Sequence, residues 1–430
     1  MKTRTTTVVR TLAVLAVTSL ALSGCGREAE TADGGPGQGE AVGEGPATGT
    51  IDVWAMGTEG EMLGDFVADF EKENPEADVK VTAVPWEAAH DKIASAIASG
   101  ETPDVSLIGT TWMGEFAEAG GLEPTPEGLV EESDFFEGAW GSTVVGDTSY
   151  GVPWYVETRV LFYRKDLAEK AGWDKAPTTW EELDTFASDL RDKAGVKYPL
   201  SLQPGQTGSW QTVLPFAWSN GASVTTEDGT GYTLDSPEMT EALEYYKSLF
   251  DAGYSETRVL DPGELESGFA KGTYGSFISG PWHTGLVEDA GVSQDEYAVA
   301  PLPGKDSAPG TSFVGGGDLA VFSDSDNKES SWKLVKWLSE PEVQQDWYDT
   351  IGDLPAVQAA WDSGTLAEDP QLQVFGEQLD STQAPPAVPT WEEVASVVDA
   401  EVEKAVKGAS PVDEAVQRMQ GQAETIGTGL

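Results

Sequence analysis

Between Ile51 and Ile108 the hydrophobic pattern switches back and forth between two periods, and that switching restricts the fold more than anything else in the chain. Ile51-Asp52-Val53-Trp54 alternates as a strand does. Met62, Leu63, Phe66, Val67 and Phe70 then share one helical stripe, which Asn74-Pro75 ends. Val79, Val81 and Ala83 alternate again. Ala89, Ile93, Ala96 and Ile97 mark a second helix stopped by Gly100, and Asp104 to Ile108 reads as a third strand. Strand–helix–strand–helix–strand joins parallel strands through right-handed crossovers. In such sheets a ligand sits beyond the carboxyl ends of the strands. The loops expected there, 55–60, 85–90 and 109–115, carry Glu59, Trp86, Thr111 and Trp112.

A second α/β region follows. Thr179-Trp180-Glu181-Glu182 is a capping box entering a helix. Ser236 with Pro237 opens another, striped by Met239, Leu243, Tyr246 and Phe250. Residues 203–222 read as a Gly-rich loop holding Trp210 and Trp218. The strand-like run 274–278 leads into Ser279-Gly280-Pro281-Trp282-His283. A further strand, 313–322, is interrupted by Gly315-Gly316-Gly317-Asp318, and helical patterns cover 329–338, 341–348, 391–406 and 411–422.

Between the two regions lies Tyr150 to Leu167. An extended piece ends near Trp154, and Val160 to Tyr163 is a short apolar run that suits a buried strand. The interval sets Glu157 and Arg159 beside Trp154 and Tyr155. Aromatic rings cover the C–H faces of a pyranose, and charged groups take its hydroxyls in strong hydrogen bonds. A plain salt bridge at a strand end is the alternative for this stretch taken alone.

The chain of 430 residues suits two domains. Its formal net charge of −49 sets aside nucleic acid and anionic membrane as partners. One Cys allows no intrachain disulfide, and with two His it leaves no zinc cluster. Asp324-Ser325-Asp326-Asn327-Lys328 begins like a calcium loop, but Lys328 and the missing Gly spoil it. No cofactor is called for. Lys2, Arg4 and Arg10 precede the apolar run Leu12 to Leu22, the layout of a signal peptide over 1–24. The lone Cys, Cys25, follows Leu22-Ser23-Gly24, which resembles the bacterial lipoprotein signal. Residues 26–50, rich in Gly and without periodicity, then read as a tether spanning roughly 25–30 Å.

Taken in order, Pro103-Asp104-Val105, Trp112 to Phe116, Gly151 to Leu167, Thr178 to Leu183, Ser279 to Trp282 and Gly315 to Val321 resemble the extracellular solute-binding lipoproteins of ABC sugar importers, the maltose-binding-protein-like family. Each motif is weak alone; their order and spacing carry the resemblance from about Ile51 to Ile426. It implies an α/β, two-lobed periplasmic-binding-protein type II fold. Each lobe would be a central, mostly parallel sheet flanked by helices, with the ligand cleft between lobes. The implied division gives residues 51–156 and 279–325 to the N-lobe and 157–278 and 326–430 to the C-lobe.

By motif position, the resemblance implies that Glu157 bonds sugar hydroxyls and that Trp282 and Trp391 stack on sugar rings. Asp318 falls where relatives place a polar sugar contact. Thr111, Trp112 and Glu59 depart from the charged or basic contacts of maltose-binding proteins, which argues against maltodextrin itself. Arg159 has no counterpart there. Trp86 and Trp210 complete the candidate cleft, while Trp173, Trp180, Trp332, Trp337 and Trp361 are assigned to packing. The implied protein is a monomer held at the outer face of the membrane by lipid on Cys25. It would capture a neutral di- or oligosaccharide and deliver it to an ABC permease. The competing reading is a secreted glycoside hydrolase drawing a carboxylate pair from Glu59, Glu157 and Asp318, about 5–5.5 Å apart for retention or 6.5–9.5 Å for inversion. A third is an adhesive surface lipoprotein, which would need no Trp-lined cleft.

Overall fold

Strand, helix, strand, helix, strand is the order found. In the computed structural model, which describes residue 39 and residues 41–430, β1 (Thr48–Met56), β2 (Glu76–Val84) and β3 (Val105–Gly109) are joined by helical crossovers. β1 pairs in parallel with both β2 and β3. The remaining strands are β4 (Val144–Val145), β5 (Thr148–Ser149), β6 (Val152–Thr158), β7 (Val160–Arg164), β8 (Tyr198–Ser201), β9 (Tyr274–Ser279), β10 (Tyr297–Ala300), β11 (Ser312–Val321), β12 (Leu354–Pro355) and β13 (Thr382–Gln383). They form two main sheets. The larger runs β12-β6-β11-β3-β1-β2 with β13 beside β11, and the smaller runs β10-β7-β9-β8. Cys25 and the leader lie outside the described residues.

The sheets are mixed, not mostly parallel as expected. β11 runs antiparallel to β3 and β6, and β7 antiparallel to β9 and β10. β6 leaves the larger sheet for the smaller and β11 returns from it, so neither is tied to β3 by the local crossover that parallel neighbours need.

The expected boundaries also shift. Ser279 pairs with Val160, so β9 continues into the smaller sheet, and β10 follows it there. The chain regains the larger sheet at Ser312 instead of Ser279. It stays past residue 325: the helix Lys328–Leu338 packs on β1 and β11, and β12 pairs with β6. Only after β13 do the helices Trp391–Val406 and Val412–Ile426 join the helix Pro237–Asp251 on the smaller sheet's side. The fold also begins before Ile51. Thr48–Thr50 already pair with β2, and Ala47 is buried with its N–H on the Asn74 side chain. Strand pairing uses backbone, so these polar residues join without any apolar signal.

Candidate functional site

The expected loops turn out to be helix starts. Glu59 lies in the first turn of the helix Gly57–Phe66, Trp86 opens Trp86–Ser99, and Trp112 caps Met113–Glu118. Trp210, Trp282 and Trp391 each begin a helix as well. β1 passes into its helix at Gly57 without a loop between. The strand-end rule holds for the first group. Trp86 and Trp112 stand 5.7 Å apart, ring centre to ring centre, and His90 braces Trp112 from the side at 5.5 Å.

These two rings line a cavity of about 320 Å³ together with Thr110, Thr111, Tyr155, Glu157, Gln211, Phe313 and the glycines Gly109, Gly315 and Gly316. That size suits a small polar ligand. Hollows of about 760 and 830 Å³ lie elsewhere and contain none of the predicted residues. Gly316 is required: its φ is +127°, and a Cβ there would sit 2.1 Å from the Tyr155 carbonyl. The larger sheet therefore presents bare backbone to the cavity at this point. Arg159 and Trp282 are not lining residues but connect to them. Arg159 Nη2 donates to Glu157 Oε1 at 3.2 Å and to Gln211 Oε1 at 3.0 Å. Its guanidinium lies 4.6 Å from the centre of the Trp282 ring. Trp282 is 43 % exposed, the most open of the predicted rings.

Of the eleven predicted residues only Trp86, Thr111, Trp112 and Glu157 line the cavity, and four of the others are buried away from it. Trp154 is 1 % exposed and stacks on Trp347 at 4.9 Å, inside the core. Strand parity explains this: along β6, Tyr155 and Glu157 face one way and Trp154 and Val156 the other. Trp391 is fully buried and Trp210 nearly so; they meet edge to face at 5.1 Å in the second core, where Trp218 is also buried. Asp318 is buried beneath Ser142, whose hydroxyl donates to it at 3.1 Å. A register shift between Gly317 and Asp318 turns that carboxyl inward, and burial pushes it up to about 8. Trp180, Trp332, Trp337 and Trp361 are buried, as assigned, and Trp173 packs edge-on against Phe186.

Glu59 sits behind the cavity. Burial raises its carboxyl, opposed by hydrogen bonds from its own backbone and from Tyr155. Tyr155 is held far above the usual phenol range, chiefly by burial and then by Glu59. Asp353 completes this acidic group. Its neighbour Leu354 pairs with Val156, which sets Asp353 alongside Glu157. Burial, then Glu59, pushes Asp353 up to about 7, while the Trp347 indole donates to it at 3.1 Å. Sequence reasoning missed Asp353, Gln211 and Phe313. Tyr155 was legible from parity with Glu157; the other three are brought in by tertiary packing and left no local signal. Among the described residues no group of three His, Cys, Asp or Glu could hold a metal, and no helix is long and apolar enough to cross a membrane.

The arrangement offers aromatic faces, hydrogen-bond acceptors and exposed backbone in a polar hollow, which suits holding a solute. Comparison with known proteins agrees. The sugar-binding protein MalE from Xanthomonas citri superposes with a TM-score of 0.82 at 34% identity, over 88% of this chain and 97% of that one. The diacetylchitobiose binding protein DasA of Streptomyces coelicolor is 27% identical over 87% of this chain and 89% of its own. The galactooligosaccharide-binding protein of Bacillus subtilis is 25% identical over 96% and 97%. The family model described as bacterial extracellular solute-binding protein matches residues 57–345, and a binding family leaves no place for the hydrolase reading. This chain belongs to the bacterial extracellular solute-binding proteins, within their sugar-binding, MalE-like branch.

Proposed function

We propose that the protein captures a neutral di- or oligosaccharide outside the cell and passes it to the membrane subunits of an ABC importer. The observation that carries this reading is the cleft itself. Trp86 and Trp112 line it together with Glu157, Thr111 and Gln211, whose polar groups suit sugar hydroxyls, and Trp282 is tied to it through Arg159. With Trp86, Trp112 and Glu157 from one half and Gln211 from the other, one solute can contact both, and only a solute that does so shifts the balance between open and closed forms. Hinge closure around the ligand is the motion by which periplasmic binding proteins as a class respond to such contacts. Relatives that bind diacetylchitobiose and galactooligosaccharides support a glycan of two or more units. Lipid on Cys25 would keep the body at the membrane's outer face.

The test is a thermal-shift panel of mono- and oligosaccharides on residues 26–430. A ligand at 100 times its Kd stabilises the native state by about 2.7 kcal/mol. A shift confined to one linkage class, with the sugar recovered intact, identifies the cargo. A folded protein that responds to no saccharide defeats the reading. Detergent-phase partitioning of full-length Cys25→Ala unchanged from wild type would defeat the anchor.

A further inference from the structure

Arg159 is the single residue between β6 and β7, where the chain first passes from the larger sheet to the smaller. Its backbone is fastened to the return passage. The Arg159 N–H donates to Ser312 Oγ at 3.3 Å, and that hydroxyl donates to the Arg159 carbonyl at 2.8 Å. Ser312 begins β11. Two of the chain's passages between the sheets are thus pinned at one point.

The side chain gathers the same two halves. Glu157 belongs to the larger sheet, whereas Gln211 lies in the first turn of one helix of the other half and Trp282 opens another; Nη2 bonds the first two, and the guanidinium underlies the ring of the third. Phe313 flanks it at 5.2 Å. Arg159 is 9 % exposed, and its Nη1 is closed off from solvent without a hydrogen-bond partner. As the side chain lies, Nη1 is not presented to a solute in the cavity. A buried guanidinium kept in place by a carboxylate and two aromatic faces instead fixes what it touches, which a lysine's point charge cannot do.

We propose that Arg159 is a positioning residue: from the junction of the two sheets it holds Trp282 and Gln211 in register with Glu157, and contributes to solute binding through them. The proposal builds on the oligosaccharide reading but does not depend on it for its test.

Arg159→Met and Arg159→Lys are compared in wild-type and Trp282→Ala backgrounds, each checked for a cooperative melt. Calorimetry uses the oligosaccharide that gives the largest thermal shift. Each variant weakens binding about tenfold or more in wild type, the scale of a lost charge-assisted contact. In the Trp282→Ala background the same changes cost at least about threefold less, since one of the two residues they act through is gone. Equal losses in both backgrounds, or unchanged affinity in folded Arg159→Met, overturn the proposal. Small-angle scattering of ligand-free protein judges it without any sugar. Arg159→Met and Arg159→Lys both alter the radius of gyration, and an unchanged radius in both overturns the proposal. Wild type that binds no saccharide defeats the oligosaccharide reading alone.

Discussion

Trp282→Ala probes the cleft most directly. The ring is 43 % exposed, backed by the Arg159 guanidinium at 4.6 Å. Of a whole tryptophan's ~250 Å², about 110 Å² is then free to be covered. A pyranose lying on one face hides about half of that, ~55 Å², which at ~25 cal/mol/Å² gives ~1.4 kcal/mol. The directional preference of an aromatic face adds ~0.5–1.5 kcal/mol. The substitution should therefore weaken oligosaccharide binding by ~2–3 kcal/mol, or ~30- to 150-fold. Titration calorimetry reads the change, and a thermal melt shows that the variant is folded, which an exposed position favours. A folded Trp282→Ala protein with a Kd within about threefold of wild type would refute the reasoning, because the most open predicted ring would then face no solute.

Gly280→Ala should mimic that loss without touching the indole: its new Cβ would fall 2.0 Å from the Trp282 ring and displace it, so calorimetry should show weakened binding, and unchanged affinity would mean the ring's pose is irrelevant. Trp154→Ala should do the reverse, costing about 3–5 kcal/mol of stability in denaturant titration as a buried aromatic does, while affinity at a permissive temperature stays within about threefold. Asp318 is an acid whose native pKa, about 8, lies above its ordinary 3.8, so the native state keeps the extra proton between these values. Stability from this group is greatest at low pH and falls through that window by up to ~1.4 kcal/mol per pH unit; Asp318→Asn should remove the slope, and parallel pH–stability curves for variant and wild type would exclude the effect. An oligosaccharide with a uronate in place of one neutral unit should bind about tenfold or more weakly in competition calorimetry, and equal binding would show that charge does not select the solute.

The strand–helix order was plain in the apolar spacing of residues 51–108 because every element there except the fully buried β3 buries one face. Where burial does not alternate, the sequence was less informative. β11 is buried along almost its whole length, so nothing in its pattern announces that the bulge after Gly317 turns Asp318 away from the cavity. Trp210 and Trp391 begin helices just as Trp86 and Trp282 do, yet their helices pack on each other and close over them. Composition cannot separate the two cases, since a tryptophan serves a core and a sugar face equally well. The boundary at Ser279 failed for a related reason. Gly280-Pro281 looks like an exit from a strand, which it is, but the next strand, β10, pairs with β7 in the same sheet. Parity along β6 was readable throughout and would have exchanged Trp154 for Tyr155.

The acids around the cavity support the proposal of a neutral, donor-rich solute. Glu157 on β6 and Asp353, the residue just before β12, lie side by side where the two antiparallel strands meet, an arrangement that is unfavourable when both are charged. Glu59 adds a third carboxylate close enough to push Asp353 upward. Two features offset the crowding. Glu59 occupies the first turn of a helix, where a negative charge is favoured, and Arg159 pairs with Glu157. That pairing uses one oxygen of Glu157, at 3.2 Å, and leaves the 31 % exposed side chain open to further donors. Sugar hydroxyls supply donors without charge, so they stabilise the ionised acids and bring no new repulsion. A uronate would add a fourth carboxylate beside groups that already resist ionisation, and Arg159, already committed to Glu157 and Gln211, could not turn to meet it without releasing the ring of Trp282.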